Sequence, residues 1–336
     1  PRVLPEGRGV PNARGLDFYD ALVDALLAAG ITPFVTLNHW DTPQPLQDAG
    51  GWASRDTTGA FVEYVEHVAA RLGDRVRHWI THNEPWCQSV LGHLEGRHAP
   101  GHRDASESLR VAHHLLLSHG MATSALRRAA PGAQVGITHI LTPVTAHTSS
   151  VADQDAARAY DGFFNRWYLD PLHGRGYPAD AVADRVAWGQ LAAPELDFVR
   201  DGDLATIATP TDFLGVNYYS RAVVRAGPDG RPQGVPMGRP DERTEMGWEV
   251  WPQGRYDVLA SVHRTYAPAR IHVTENGAAF ADAVTATGRV EDMRRVDYLR
   301  DHLFELRRAI ADGVPLGGYF AWSLLDNWEL GQGFAK

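Results

Sequence analysis

Apolar positions along the chain switch repeatedly between helical spacing and short continuous runs. Helical spacing predicts helices over residues 16–29, 61–72, 106–130, 155–169, 179–188, 256–266 and 294–311. Runs rich in β-branched and aromatic residues predict strands over residues 31–40, 76–84, 134–141, 212–220, 270–275 and 317–328, the first of them buried. A stretch rich in Gly, Pro and Arg over 227–241 predicts a long surface loop. Strands that alternate with helices are typical of βα units around a parallel sheet, so we expect an α/β fold.

Two of these strands end in a glutamate that lies beside a carboxamide. The second strand runs into Asn83-Glu84-Pro85, and the fifth runs into Glu275-Asn276-Gly277. In parallel barrels the carboxyl ends of the strands carry the chemistry, so both carboxylates would lie at one rim. Most enzymes that cleave a glycosidic bond use two carboxyl groups that face each other across the pocket. The pattern therefore predicts a glycosidase.

The other strand ends also carry polar and aromatic side chains. An isolated asparagine or tyrosine at a strand end usually forms a turn or satisfies a hydrogen bond of the core. The recurrence of such groups at six strand ends instead favours a sugar site, where amides and carboxylates bind hydroxyls and tryptophan lies against the ring. The residues concerned are Asn38, His39, Trp40, Asp41, Asn83, Glu84, His139, Asn217, Tyr218, Tyr219, Glu275, Asn276 and residues 322–329.

Composition narrows the class of protein. The chain has 336 residues, of which 44% are hydrophobic and 22% charged, as in ordinary globular domains. A net charge of −9 disfavours a nucleic-acid partner, which would require a basic surface. Cys87 is the single cysteine, so the chain has no intramolecular disulfide and no cysteine-based zinc site. No apolar run approaches the ~18 residues that a membrane span requires. We expect a cytoplasmic protein with no membrane partner.

Several blocks of sequence resemble glycoside hydrolase family 1, the β-glucosidase family. Asn83-Glu84-Pro85-Trp86 and Val273-Thr274-Glu275-Asn276-Gly277 are similar to its two signature motifs. The resemblance extends to the blocks that begin at His39, Asp161, Gly215 and Trp322, and it covers essentially the whole chain. It implies a (β/α)8 TIM barrel in a single domain over residues 1–336, and hydrolysis of terminal β-D-glucosyl residues with no cofactor and no metal.

The resemblance also implies roles for individual residues around the reacting bond. Glu84 corresponds to the general acid/base of a retaining double displacement, and Glu275 to its nucleophile. Arg2 and Tyr219 correspond to the arginine and the tyrosine that keep the nucleophile anionic.

The same resemblance implies a set of substrate contacts. Asn83 corresponds to the residue that binds the 2-hydroxyl of the sugar, and His39 to a donor to the 3-hydroxyl. Trp322 corresponds to the platform beneath the ring, and Glu329 to the residue that binds the 4- and 6-hydroxyls. Because the carboxylate of Glu329 would repel a phosphate, a 6-phosphosugar is disfavoured. Trp40 and Asn217 complete the expected binding set.

Three positions depart from the family pattern. Leu330 stands where the family has a tryptophan that hydrogen-bonds the sugar, a loss of about 1–3 kcal/mol. Asn38 stands where tyrosine or phenylalanine is usual, and His82 stands where an apolar residue is usual. A histidine beside the acid/base either shifts the pH optimum or changes the packing behind the site, and packing is the preferred interpretation.

The resemblance further implies that the chain is a fragment, with about six of the eight barrel strands. The family has a stretch before Arg2 that contains the first strand, most of the second and a sugar-binding glutamine, and more sequence normally follows Lys336. A sheet with two open edges is prone to aggregation. We therefore expect the isolated chain to have little or no activity.

Other functions were weighed against this interpretation. An inactive sugar-binding remnant would keep the pocket, but here both glutamates are present. A β-galactosidase or β-fucosidase of the same family stays open. A metalloenzyme is disfavoured because His113, His114 and His119 lie on one predicted helix without a convergent carboxylate. The Gly-x-Gly patterns at 7–9 and 331–333 lack the strand and helix context of a nucleotide site. The expected partner is a small β-glucoside or a short β-linked oligosaccharide.

Overall fold

The computed structural model describes residues 1–334. Nine strands are present in this part of the chain: β1 (Phe34–Asn38), β2 (His78–Asn83), β3 (Gln134–Ile140), β4 (Val144–Ala146), β5 (Phe213–Asn217), β6 (Ala222–Ala226), β7 (Pro232–Gly234), β8 (Ile271–Glu275) and β9 (Leu316–Tyr319). Ten α-helices accompany them: α1 (Ala13–Ala28), α2 (Gln44–Asp48), α3 (Asp56–Leu72), α4 (Ala105–Ala129), α5 (Val151–Asp161), α6 (Trp167–Leu172), α7 (Ala179–Ala187), α8 (Asp203–Ile207), α9 (Gln253–Tyr266) and α10 (Met293–Ala311). Short 3₁₀ turns cover Gly51–Ala53 and Pro240–Glu242, and π-helical turns cover Cys87–Leu91 and Gly162–Arg166.

Six of the strands form one sheet, and they follow each other in chain order. The order is β1-β2-β3-β5-β8-β9, and the β1–β2, β2–β3 and β8–β9 pairs are parallel. Helices separate the successive strands of this sheet, as the right-handed crossovers of a parallel sheet require. The predicted α/β architecture with six barrel strands is confirmed.

The described chain divides into two compact units that interleave along the sequence. The first unit comprises Pro1–His139 and Tyr168–Leu214, and its core lies between α3, α4 and the first strands. Val65, Leu72 and Leu115 pack there around the buried ring of Trp79. The second unit comprises Ile140–Trp167 and the chain from Gly215 onwards. The prediction of a single domain over 1–336 stays a prediction.

The first strand is less buried than the sequence predicted. Leu37 and Asn38 are buried, but residues 34–36 are half-buried. An apolar cavity of about 580 Å³, lined by residues of β1, α1 and α3, lies beside this strand. The prediction of a buried strand was therefore wrong for its first half, because the neighbouring side chains leave this space unfilled.

The second unit contains a small sheet that the sequence did not predict. Strands β4 and β6 pair in parallel, and β7 pairs antiparallel with β6 through Val224↔Gly234 and Ala226↔Pro232. Part of the stretch 227–241 is thus a hairpin, whose turn is closed by the backbone bond from Gly227 N–H to Arg231 O. Strand β9 ends at Tyr319, well short of residue 328, and residues 321–326 that follow are exposed. An apolar run predicts burial, and here most of it does not find a partner strand.

Within residues 1–334, no helix combines the length and the apolar character needed to cross a lipid bilayer.

Candidate active site

Glu84 lies where β2 turns into a helical segment. Strand β2 ends at Asn83, and Glu84 adopts a left-handed backbone conformation with φ of 46°. Its N–H still donates to the carbonyl oxygen of Thr138 (2.9 Å), so the neighbouring strand fixes this sharp turn. Positive φ at a residue other than glycine costs energy and concentrates at functional sites. Glu84 is 4% exposed, so its side chain is buried.

A thiol lies directly against this carboxyl group. The Sγ of Cys87 donates to Oε2 of Glu84 over 2.9 Å, and both residues are buried. Cys87 comes one helical turn after Glu84, so the strand-to-helix turn brings the two side chains together. A thiol is a weak donor, and it stabilises a carboxylate less than a hydroxyl does.

His39, Trp40 and Asn83 form one contact group in the first unit. The amide of Asn83 lies 3.2 Å from Nε2 of His39, and the indole N–H of Trp40 donates to the Asn83 carbonyl over 2.8 Å. Trp40 also has positive φ (84°). The structure thus brings together the three residues that were predicted to bind the sugar from this side.

Asn38 and His82, two of the departures from the family pattern, contact each other. The amide of Asn38 donates to Nδ1 of His82 and to Oε1 of Gln88, each over 2.9 Å. Nε2 of His82 lies 2.9 Å from the hydroxyl of Ser118, whose own proton goes to the Leu115 carbonyl. This network requires the neutral Nε2–H tautomer of His82.

The ring of His82 is also packed away from solvent. It stacks on Phe61 with ring centroids 4.5 Å apart and meets the edge of Trp52. Burial, followed by the nearby His119 and His139, holds the pKa of His82 well below its usual value. This arrangement agrees with a change in packing rather than with a group that titrates during turnover.

Glu275 is the last residue of β8, in the second unit. The phenol of Tyr219 donates to its Oε2 over 2.6 Å, which is the short distance of a charge-assisted O–H···O⁻ bond. The Tyr218 N–H donates to the Glu275 carbonyl over 3.1 Å and anchors the end of the strand. The ring of Tyr219 is held in turn by Trp248, with centroids 5.2 Å apart. The predicted contact between Tyr219 and the nucleophile position is present.

Asn276 joins the end of β8 to the surrounding tyrosines. Its amide donates to the Tyr218 carbonyl (2.7 Å) and lies 2.9 Å from the Tyr298 hydroxyl. Its carbonyl oxygen accepts from the Tyr319 hydroxyl (3.1 Å) and from the guanidinium of Arg255, which is fully buried. With all of these partners, Asn276 locks the backbone on which Glu275 is carried.

The glycine after Asn276 is required by a close approach of the chain. A Cβ at Gly277 would lie 1.8 Å from the carbonyl oxygen of Trp322. The Trp322 N–H donates to the Asn276 carbonyl over 3.0 Å, so the segment after β9 is fastened to the end of β8. This brings Trp322, which is 36% exposed, close to the end of β8 that carries Glu275.

The remaining predicted residues are Asn217, Glu329 and Arg2, and the structure gives specific contacts for the first two. Thr274 donates to Oδ1 of Asn217 over 2.6 Å. This bond fixes the amide of Asn217 at the end of β5, the strand next to the one that ends in Glu275. Glu329 lies in a turn closed by reciprocal backbone bonds with Gly333 (2.8 Å each), and burial raises its pKa. Arg2 is exposed and belongs to the first unit, and its predicted role beside the nucleophile stays a prediction.

Sequence reasoning missed two residues of this site. Cys87 could have been found, because a spacing of three after Glu84 places it one helical turn away. Trp248 could not, because it comes from a distant loop with no motif around it.

Carboxyl groups at the ends of two strands of a parallel α/β sheet, each beside an asparagine, are typical of barrel glycosidases. The comparisons with known proteins agree. The family model described as glycosyl hydrolase family 1 matches residues 1–336. The chain belongs to glycosyl hydrolase family 1, and it is accordingly a glycoside hydrolase.

Individual relatives are similar along the whole chain. Beta-glucosidase A of Acetivibrio thermocellus is 44% identical over 339 residues, which cover 100% of this chain and 75% of the relative. The AHE enzyme of Alicyclobacillus herbarius has a structure with a TM-score of 0.95 and 48% identity, covering 100% of this chain and 74% of that one. A family 1 β-glucosidase of Thermotoga maritima in complex with isofagomine lactam has a TM-score of 0.93 and 41% identity, with the same coverage. The chain spans about three quarters of the length of these relatives.

Proposed function

We propose that this protein is a retaining β-glucosidase in which Glu275 is the nucleophile and Glu84 is the general acid/base. The observation that carries this assignment is the short bond from Tyr219 to Glu275 (2.6 Å) in the second unit. A phenol donor stabilises the anionic form that a nucleophile needs. Family membership and relatives named β-glucosidase support the substrate class.

The surroundings of Glu84 support the opposite role. Its carboxyl group is 4% exposed, and the donor against it is a thiol. Both conditions favour a protonated carboxyl group more than those around Glu275 do. In the proposed cycle Glu84 gives its proton to the leaving oxygen while Glu275 attacks C1. Glu84 then removes a proton from the water that releases the sugar.

Sugar binding is proposed for the residues around the two carboxyl groups. In the first unit Asn83 and His39 bind the 2- and 3-hydroxyls, beside Trp40. In the second unit Asn217 and the platform Trp322 are proposed to contact the sugar ring, and Glu329 to bind the 4- and 6-hydroxyls. Arg2 is proposed to support the charge of Glu275.

The proposal can be tested by trapping the glycosyl-enzyme. We expect a 2-deoxy-2-fluoro-β-glucoside with an activated leaving group to add one sugar mass to the chain, mapped by peptide mass spectrometry to Glu275. Glu275→Gln should abolish the adduct, whereas Glu291→Gln, at an exposed position, should form it at the unchanged rate.

The Glu84→Ala variant tests the second role. With an activated leaving group, which needs no acid, the adduct should still form. Added azide should displace the Glu275 carboxylate at C1 and release a 2-deoxy-2-fluoro-β-glucosyl azide. An adduct on another residue, or an α-configured azide product, would contradict the retaining mechanism. Parallel trapping with galacto- and fuco-configured reagents would rank the three sugars.

A further inference from the structure

Three metal-ligating side chains converge in the first unit, on residues that the glycosidase site does not use. Among residues 1–334, His93, His102 and Glu107 are the group in which one ligand atom from each residue lies within 4.8 Å of the others. His93 ends the helical segment 85–93, His102 belongs to the loop before α4, and Glu107 belongs to the first turn of α4.

The two histidines of the cluster converge on one carboxylate oxygen of Glu107. Nδ1 of His93 lies 2.7 Å from Oε1 of Glu107, and Nδ1 of His102 lies 2.6 Å from the same oxygen. The two imidazole rings are nearly perpendicular, at 87°, with centroids 5.4 Å apart. Both Nδ1 atoms therefore point at one carboxylate oxygen, to which each ring donates an Nδ1–H in the absence of an ion.

The backbone holds these side chains in place before any ligand binds. The His102 N–H donates to the Gly92 carbonyl (2.9 Å), and the Asp104 N–H donates to the His93 carbonyl (2.8 Å). The side chain of Asp104 caps α4 by accepting from the Glu107 N–H over 2.9 Å. A preformed site loses little conformational entropy on binding, which favours affinity.

Access to the cluster is graded from the interior to the solvent. The side chain of His93 is 1% exposed, that of Glu107 is 24% exposed and that of His102 is 46% exposed. An ion can therefore reach the site from the His102 side and become fixed against the buried ring of His93. A partly open site leaves room for a water ligand in the fourth position.

We propose that His93, His102 and Glu107 bind one divalent transition-metal ion, of which Zn²⁺ is the best match. Two imidazoles and one carboxylate are a common zinc ligand set, with metal–ligand bonds of about 2.0–2.2 Å. Each imidazole would coordinate through Nδ1 and carry its proton on Nε2, so the ion would take the place of the two Nδ1–H···O hydrogen bonds to Glu107. The ion would fasten the loop that follows the Glu84 segment to the start of α4. This proposal is independent of the glycosidase assignment.

Isothermal titration calorimetry of the untagged, EDTA-treated chain with ZnCl₂ tests the proposal. We expect one ion per chain, and a thermal midpoint that rises by about 3–4 °C at a 100-fold excess over Kd. His102→Gln changes an exposed side chain and should weaken zinc binding by more than the 10- to 100-fold that loss of an outer partner of a ligand costs.

Two further variants separate metal binding from a merely structural hydrogen-bond cluster. Glu107→Gln keeps an oxygen that can accept from both histidines but removes the anionic ligand, so it should fold normally and lose zinc binding. His98→Gln, in the same loop but outside the cluster, should bind zinc as the parent chain does. The proposal is overturned if the parent chain binds no zinc at about 0.1 mM, or if His102→Gln or Glu107→Gln binds it unchanged.

Discussion

The two carboxyl groups at the centre of the proposed mechanism lie in chemically different surroundings. Glu84 is buried, and a thiol and neutral histidine and amide groups lie around its strand. Glu275 is less buried, and phenols and a buried guanidinium lie around its strand. In the proposed mechanism this difference separates their roles, because a weak donor and desolvation favour a neutral acid, whereas a strong donor favours an anion.

The largest expected effect is a loss of folding stability in acid, caused by His119 and His139, two buried histidines of the first unit. Burial lowers the pKa of His119 to about 3 and that of His139 to about 3. An unfolded histidine titrates near 6.5, so the folded state binds fewer protons. Their contribution is complete above pH 6.5 and is lost as the pH falls towards 3. At pH 5.5 we expect the two together to cost about 3 kcal/mol of unfolding free energy.

Denaturant unfolding at several pH values measures this loss. Between pH 8 and pH 5.5, the unfolding free energy of the double variant His119→Gln/His139→Gln should fall by about 3 kcal/mol less than that of the parent chain. His147→Gln, at an exposed position, should leave the slope as it is. An equal pH dependence of the unfolding free energy in the parent chain and the double variant would show that these two histidines do not cause the loss of stability in acid.

The next effect concerns the donor to Glu275. Tyr219→Phe removes the phenol from the carboxylate, and loss of a hydrogen bond to a charged group costs about 1.5–3 kcal/mol. The rate at which the 2-fluoro glucoside labels Glu275 should therefore fall about 10- to 150-fold. Tyr256→Phe is a matched control, because its phenol also donates to a carboxylate over 2.6 Å, but to Asp312. A comparable loss in both variants would remove the special role of Tyr219.

A third effect concerns the pair Asn38 and His82. Because each side chain is the buried partner of the other, Asn38→Leu or His82→Leu alone leaves an unpaired polar group, at about 1–3 kcal/mol. The double variant should cost less than the sum, with a coupling energy of about 1 kcal/mol in a double-mutant cycle of unfolding free energies. Additive costs would mean that the two departures from the family pattern are independent.

The smallest effect is expected at Cys87. Cys87→Ala should change the rate constant for a substrate whose leaving group needs an acid by less than ~5-fold, because a thiol is a weak donor. The rate constant for release of the trapped sugar by water should change equally little. Cys87→Ser keeps a donor at this position and should exceed Cys87→Ala in its effect, since a hydroxyl binds the carboxylate more strongly. If Cys87→Ala lowered its rate constant as much as Tyr219→Phe lowers the labelling rate, the donors to Glu84 and Glu275 would not differ in strength.

Much of the fold and of the site could be predicted from local patterns. The six sheet strands were predicted because each run of β-branched and aromatic residues between helices can be recognised from its own sequence alone. The contact between Tyr219 and Glu275 was predicted from the family motifs, and the structure contains it. The half-buried start of β1 and the hairpin of β6 and β7 were not, because both depend on which neighbour packs against a segment.

The metal-binding cluster illustrates the same limit. His93, His102 and Glu107 have spacings of nine and five residues, which match no short ligand motif. They meet because backbone bonds fasten the loop before α4 to Gly92 and His93, at the end of the preceding helical segment.

By itself, the sequence determined the α/β architecture and the family, and it marked Glu84 and Glu275 as the residues to examine. Local periodicity predicts the architecture, and short contiguous motifs indicate the family and the two glutamates. The tertiary structure decided which side chains surround each carboxyl group: the thiol at Glu84, the phenol held by Trp248 at Glu275 and the pairing of Asn38 with His82. Donor strength and burial act over a few ångströms in space, and most of the groups concerned lie far apart along the chain.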